Sequence, residues 1–262
     1  MTRQLRQQSS TGIHHVMLRG INRQIMFEND DDYRKFIFIL HDLVAPKDQL
    51  RRPLPPRCAI YAYCLMTNHV HLLIQEKDDK LPNIIRDIAS RYAMYYNNRY
   101  EHFGHLFQDR YKSEPVNDAA YFLTLIRYIH QNPVAGGLSN DVESYNWSSW
   151  REFTADPKRV SSICAVPVVL KRFPLEDLRE LVNTPLPKTL RVLEYDNKNG
   201  AATDEEVKAF LSTNYGIIHP ADLTIYAKSR RDEILKAAKR YGASIRQLSR
   251  LTSIGYSIIQ KA

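Results

Sequence analysis

Apolar and polar positions alternate over residues 13–19, which predicts a strand ending at Gly20. Asn29 to Asp32 then offer helix caps, and Tyr33, Phe36, Ile37, Leu40 and Val44 follow at helical spacing. Residues 46–57, with Pro53, Pro55 and Pro56, read as a loop. Two apolar runs, 59–66 and 69–75, are separated only by Thr67-Asn68, which predicts an antiparallel hairpin. The segment 81–100 is helical, with Ile84, Ile85, Ile88, Ala89, Tyr92 and Tyr96 facing inward. Residues 104–112 are expected to return as a strand. Asp118 caps a helix over 119–132, which Pro133 stops. Residues 138–153, with Trp147 and Trp150, close a compact α+β domain.

The pattern changes after Ala155. Prolines 157, 167, 174, 185 and 187 break any long element, so residues 156–200 read as a connector holding one short helix near 175–182. After Gly200 the pattern is helical throughout. It ends in three pieces: 232–241 stopped by Gly242, 245–251 capped by Ser244, and a turn at 252–255 before a last short helix. Two short helices around a Gly-containing turn match a helix-turn-helix. The expected organisation is therefore a catalytic-sized domain over 1–155, a connector over 156–200 and a small all-α domain over 201–262.

With 262 residues, 44% hydrophobic and 25% charged, the chain is long enough for a real core and is neither disordered nor fibrous. Its longest uncharged stretch, 58–75, is interrupted by Thr67, Asn68, His69, His71 and Gln75, so no membrane partner is expected. Arg3 and Arg6 are not followed by an apolar leader segment. Cys58, Cys64 and Cys164 are odd in number and lack metal-ligand spacing, which argues for reduced thiols in a cytosol. The net charge of +8 is lopsided: residues 228–262 carry +7, and all the rest carry +1. A basic tail of that kind points to a polyanion.

His69-Val70-His71 is the sharpest local chemistry. On a strand both imidazoles share one face, while Val70 and Leu72 turn into the core. Two neutral nitrogen ligands on one edge suit a divalent cation, although a solvent-facing His-x-His pair is more often plain surface. His14 and His15 point to opposite faces, so at most one joins any site, and the surface reading is preferred there. On the helix over 119–132, Tyr121, Phe122, Leu125, Ile126 and Ile129 form the apolar stripe. Tyr128 falls at its edge, with Asn132 one turn on. Tyr92, Tyr95 and Tyr96 are spaced for core packing rather than base stacking, and Asp30-Asp31-Asp32 is accounted for by a helix N-terminus.

Several runs together resemble the HUH-motif single-tyrosine DNA transposases. They are His15-Val16-Met17-Leu18-Arg19-Gly20-Ile21-Asn22-Arg23, Tyr63-Cys64-Leu65-Met66-Thr67-Asn68-His69-Val70-His71-Leu72-Leu73, Gly104-His105-Leu106-Phe107-Gln108-Asp109-Arg110-Tyr111-Lys112-Ser113, Arg127-Tyr128-Ile129-His130-Gln131-Asn132-Pro133-Val134 and Trp147-Ser148-Ser149-Trp150. The resemblance is to the REP-associated tyrosine transposase branch, and it spans residues 12–153. Thr67 stands where that pattern has proline, within the turn. The basic tail is similar, more distantly, to a replication-initiator DNA-binding domain.

The resemblance implies a ferredoxin-like antiparallel sheet with helices and a metal-dependent single-stranded DNA endonuclease and strand transferase. Such an enzyme acts on hairpin or palindromic repeat DNA through a 5′-phosphotyrosine. It implies Tyr128 as nucleophile and His69, His71 and Asn132 as ligands of Mg²⁺ or Mn²⁺, with Gln131 as the other candidate for the third ligand. A phenol with a pKa near ~10 is almost wholly protonated at neutral pH, so the metal or a base must activate it. Arg19, Asn22, Arg23, Arg110 and Lys112 are candidates for holding the hairpin. Arg246, Ser257, Gln260 and Lys261 are candidates for contacting flanking duplex. The implied setting is a bacterial cytoplasm, in association with the nucleoid, and the protein works as a monomer or a homodimer. The competing function is a sequence-specific DNA-binding regulator with a retired nuclease domain. A water-using metallohydrolase is disfavoured because neither the His-x-His nor the tyrosine motif contains a carboxylate base.

Overall fold

The structure is a computed structural model that describes residues 7–108, 110–156, 162–186, 192–193 and 202–262. The chain divides into two compact units, Met1–Arg19 with Met26–Glu194, and Gly20–Ile25 with Tyr195–Ala262.

The first unit runs β1 (Ile13–Arg19), α1 (Asp30–Val44), β2 (Cys58–Met66), β3 (His69–Glu76), α2 (Leu81–Tyr100), β4 (Lys112–Pro115) and α3 (Ala119–Ala135). Its four strands pair antiparallel in the order β2-β3-β1-β4. A β-α-β-β-α-β run wound in that order is the ferredoxin-like arrangement, so the expected α+β class holds.

Local chemistry explains the element ends. Asn29 caps α1 in a reciprocal box with Asp32, whose carboxylate also accepts from the Tyr95 and Tyr100 hydroxyls. The acidic run therefore serves the helix terminus. Within α1 the fully enclosed apolar residues are Phe36, Ile39, Leu40 and Leu43, so the buried stripe is rotated from the expected one, and Ile37 and Val44 lie at its margin. Asp118 caps α3 through the Tyr121 amide, a contact worth ~1 kcal/mol.

Two expected boundaries move. The returning strand begins at Lys112, not Gly104. Gly104 adopts φ 104°, Leu106 is buried as a loop anchor, and the Gln108 amide donates to the Arg19 carbonyl. Pro133 does not stop α3, which continues to Ala135. So near the C-terminal end proline removes one amide bond, and the turn still closes through the Gly136 amide on the Asn132 carbonyl.

The region 147–149 lies along β2: the Leu65 amide donates to the Trp147 carbonyl, and the Ser149 amide to the Tyr63 carbonyl. That pairing covers a sheet edge that would otherwise be open. Beyond α4 (Trp150–Thr154), two further helices, α5 (Val166–Leu170) and α6 (Leu175–Asn183), contribute Val166, Val169, Leu178 and Val182 to this first core. The helix expected near 175–182 is α6.

The second unit holds α7 (Asp204–Tyr215), a 3₁₀ turn (Pro220–Ile225), α8 (Lys228–Tyr241), α9 (Ile245–Thr252) and α10 (Tyr256–Lys261). Val207, Leu211, Leu223, Ile234, Leu248 and Ile259 form its own core. Gly242 at φ 117° ends α8, and Ser244 caps α9. Arg250 is not a loose tail charge, because its guanidinium lies 2.7 Å from the buried Asp204 carboxylate.

Candidate active site

Strand register builds the site. Arg19 lies opposite His69, Met17 opposite His71 and His15 opposite Leu73. Facing residues on paired strands project the same way. Arg19, Met17, His15, His69 and His71 therefore share one face, and Val16, Leu18, Val70 and Leu72 fill the core on the other. β4 adds Glu114 opposite His15 and Lys112 opposite Met17.

α3 brings Tyr128 to this face. Its ring meets His71 edge-on, with centroids 5.4 Å apart, and His15 at 5.9 Å. One turn later the Asn132 amide donates to the Tyr128 carbonyl at 3.1 Å, and the Asn132 side chain also hydrogen-bonds His69. Four candidates from a hairpin and a helix, His69, His71, Tyr128 and Asn132, are thus brought together within one chain. Tyr128 and Asn132 also line a half-open cleft of about 450 Å³, together with Asp141, Val142, Asn183 and Leu186.

The imidazoles are held neutral. Burial pushes His69 down to about 4, helped by the Arg19 guanidinium and opposed by the Asn132 hydrogen bond. Burial, then His69 and His15, hold His71 well below the ordinary histidine value. Glu114 responds oppositely: burial disfavours its charge, but hydrogen bonds from His15 and Tyr121 keep its carboxyl below the usual range. Neutral imidazoles are what a cation requires of nitrogen ligands. Two imidazoles and a carboxamide fit a divalent ion that keeps open positions, whereas among the described residues no three His, Cys, Asp or Glu side chains form a closed metal cage.

Several expectations are corrected here. His71 is not solvent-facing, being 1% exposed, and only His69 retains partial exposure. His15 is no surface residue. It is fully buried, with Nε2 3.0 Å from His71 Nδ1 and Nδ1 2.9 Å from Glu114 Oε1. A carboxylate therefore does reach the site, although neither motif contains it. Alternation along 13–19 already placed His15 beside Arg19, but only sheet order puts that face against His71. Glu114 was hidden by the displaced start of β4.

Gln131 is committed elsewhere. Its amide donates to the Val182 carbonyl at 2.7 Å and its oxygen accepts from the Leu186 amide, so it fastens α3 to α6. Tyr92, Tyr95 and Tyr96 direct their hydroxyls to the Met26 carbonyl, Asp32 and Glu28, which is internal packing. Arg19 and Lys112 are half-buried on the site face, and Arg110 is exposed. Asn22 and Arg23 hold φ of 52° and 59°, a left-handed pair costing of order 1–3 kcal/mol per residue. Arg246, Ser257, Gln260 and Lys261 are exposed on α9 and α10.

The three buried cysteines are unpaired, and burial pushes Cys58 up to about 12. No described helix is long and apolar enough to cross a membrane.

Residues 8–132 match the family model described as transposase IS200-like. No curated protein matches the chain. Among solved structures, a REP-associated tyrosine transposase bound to a REP hairpin is similar at 16% identity and TM-score 0.48, over 62% of this chain and 90% of that one. A protein of Deinococcus radiodurans R1, described as a candidate transposase, is similar at 17% identity and TM-score 0.32, over 50% of this chain and 97% of that one.

Proposed function

We propose, from the match of residues 8–132 to the IS200-like transposase family, that this protein cuts and rejoins single-stranded DNA at hairpin or palindromic repeat sites. The observation that carries the reading is the placement of the Tyr128 ring edge-on against His71, with Asn132 bonded to His69 beside it. A tyrosine beside two neutral imidazoles and a carboxamide is the donor set that metal-assisted phosphodiester transfer needs. The assignment to the REP-associated branch rests on the sequence runs given above.

In this reading His69, His71 and Asn132 hold Mg²⁺ or Mn²⁺, which when bound polarises the scissile phosphate. Tyr128 Oη attacks phosphorus, and the bond to the 3′ oxygen breaks. The phenol loses its proton and the leaving 3′ oxygen gains one. The product is a 5′-phosphotyrosine with a free 3′-hydroxyl, which conserves the bond energy for rejoining. Because all four residues belong to one chain, the arrangement supports chemistry within a single protomer.

Arg19, Lys112 and Arg110 hold phosphates next to the site, and the left-handed pair Asn22-Arg23 fits a strained recognition turn. The cleft beside Tyr128 takes the nucleotide flanking the scissile phosphate. Arg246, Ser257, Gln260 and Lys261 anchor duplex DNA.

The direct test is a covalent adduct. With a pool of single-stranded hairpins and Mn²⁺, the protein should yield a DNA-linked species on a denaturing gel, and Tyr128→Phe should bind hairpins yet yield none. An adduct persisting in that variant would assign the chemistry to another residue. Replacing Arg246 and Lys261 by alanine should leave hairpin cleavage intact. It should also flatten the log–log salt dependence of duplex binding by about one unit per lost phosphate contact. An unchanged slope would remove the anchoring role.

A further inference from the structure

Glu114, His15 and His71 form an unbroken chain of hydrogen bonds reaching from the β4 edge to the candidate ligands. The His15 and His71 ring planes differ by 19°, with centroids 5.2 Å apart and the joined nitrogens at 3.0 Å. At that separation the rings meet edge to edge in nearly one plane, so the N–H of one points along the lone pair of the other.

Directionality follows from the far end. Glu114 Oε1 receives the Leu193 amide at 3.3 Å, the Tyr121 hydroxyl and His15 Nδ1 at 2.9 Å. An oxygen on which donors converge is an acceptor, so His15 must carry its proton on Nδ1. A neutral His15 then has a lone pair on Nε2, which accepts from His71 Nδ1–H. A neutral imidazole has only one N–H, so His71 Nε2 is left as the lone-pair nitrogen.

We infer that Glu114 on β4 and His15 on β1, both outside the His-x-His hairpin, are positioning residues that lock His71 in the tautomer presenting Nε2 to the divalent cation. This rests on the metal role of His69 and His71 proposed above. Partners of this kind behind a ligating histidine are worth 10–100-fold in metal affinity. Tyr121 supports the carboxylate through its hydroxyl.

The experiment uses the full-length protein labelled with ¹⁵N-histidine, with no metal added. Long-range ¹H–¹⁵N spectra at neutral pH should show His15 and His71 protonated at Nδ1 and bare at Nε2. A bare Nδ1 on His71 in the unsubstituted protein would overturn the inference without any variant being needed. Glu114→Gln introduces an amide that can turn its NH₂ toward His15 and reverse the whole chain. It should populate the opposite His71 tautomer and weaken Mn²⁺ binding, measured by calorimetry, by about 10–100-fold. Tyr121→Phe, which leaves both rings in place, should keep Mn²⁺ affinity within about twofold of the starting protein. An equal loss in both variants, or no loss in Glu114→Gln, would refute the relay. Mn²⁺ binding that survives His71→Ala would instead overturn the metal reading beneath it.

Discussion

His71 and His130 are both enclosed imidazoles, 1% and 0% exposed, yet their surroundings are built to opposite ends. His130 places Nδ1 2.7 Å from the Ile126 carbonyl and Nε2 2.8 Å from Ser149 Oγ, and its ring packs against Trp150 and Phe153. Both nitrogens are committed to the fold. Ser149 in turn accepts from the Tyr63 amide, so the Trp147–Trp150 motif is tied to β2 directly and to α3 through this histidine. His71 has one nitrogen committed to His15, and the other makes no hydrogen bond to a described residue. Two positions apart on α3, Tyr128 turns to His71 while His130 turns to Ser149, Trp150 and Phe153. A buried polar group with every valence answered serves stability. One with a valence left over, beside a half-buried tyrosine, marks chemistry.

Substitutions can separate these two roles. The largest expected effect is on His69→Ala. Single-turnover cleavage of a hairpin should fall by at least about 10³-fold, while unfolding free energy changes by only ~1 kcal/mol because the ring is not fully enclosed. A variant that still cleaves, or that loses activity only by unfolding, would collapse the distinction. Next is His130→Ala, which deletes two buried hydrogen bonds and opens a cavity beside Trp150. It should cost about 3 kcal/mol, read as a lower denaturation midpoint, with Mn²⁺ affinity retained in the folded fraction. Loss of metal binding from the folded variant would place His130 in the site rather than the scaffold.

The last effect appears only on acidification. Burial lowers His130 from its ordinary 6.5 to about 4, so the unfolded chain binds the proton more readily than the folded one. The stabilisation is complete above pH 6.5 and is lost as pH falls toward about 4, amounting to ~3 kcal/mol over that window. Urea unfolding across this range should steepen on the acid side. His130→Leu should remove about one proton from the linkage. If the slope is unchanged, His130 is not the titrating group.

Much of the first unit was legible. Alternation gave β1 and the β2–β3 hairpin, and helical spacing gave α1 and α2 to within a residue or two, because those signals depend only on near neighbours. Tyr128 and Asn132 were legible as an i, i+4 pair at a helix edge, and His69 and His71 as an i, i+2 pair on a strand. The left-over valence at the centre of the site was not. Glu114 belongs to a four-residue strand whose start no local pattern marks.

By itself, the sequence determined the periodicities, the caps at Asn29, Asp118 and Ser244, the basic asymmetry of the tail and the side-chain types available for catalysis. Tertiary structure alone decided that β1 lies between β3 and β4, and so that His15 faces His71 and Glu114 rather than water. It also decided that α5 and α6 join the first core despite a proline-rich sequence. The physical reason is the same in each case. A propensity is set by bonds along the chain, whereas strand order and burial are set by contacts among residues far apart in it, and only those contacts choose which face of an element meets another.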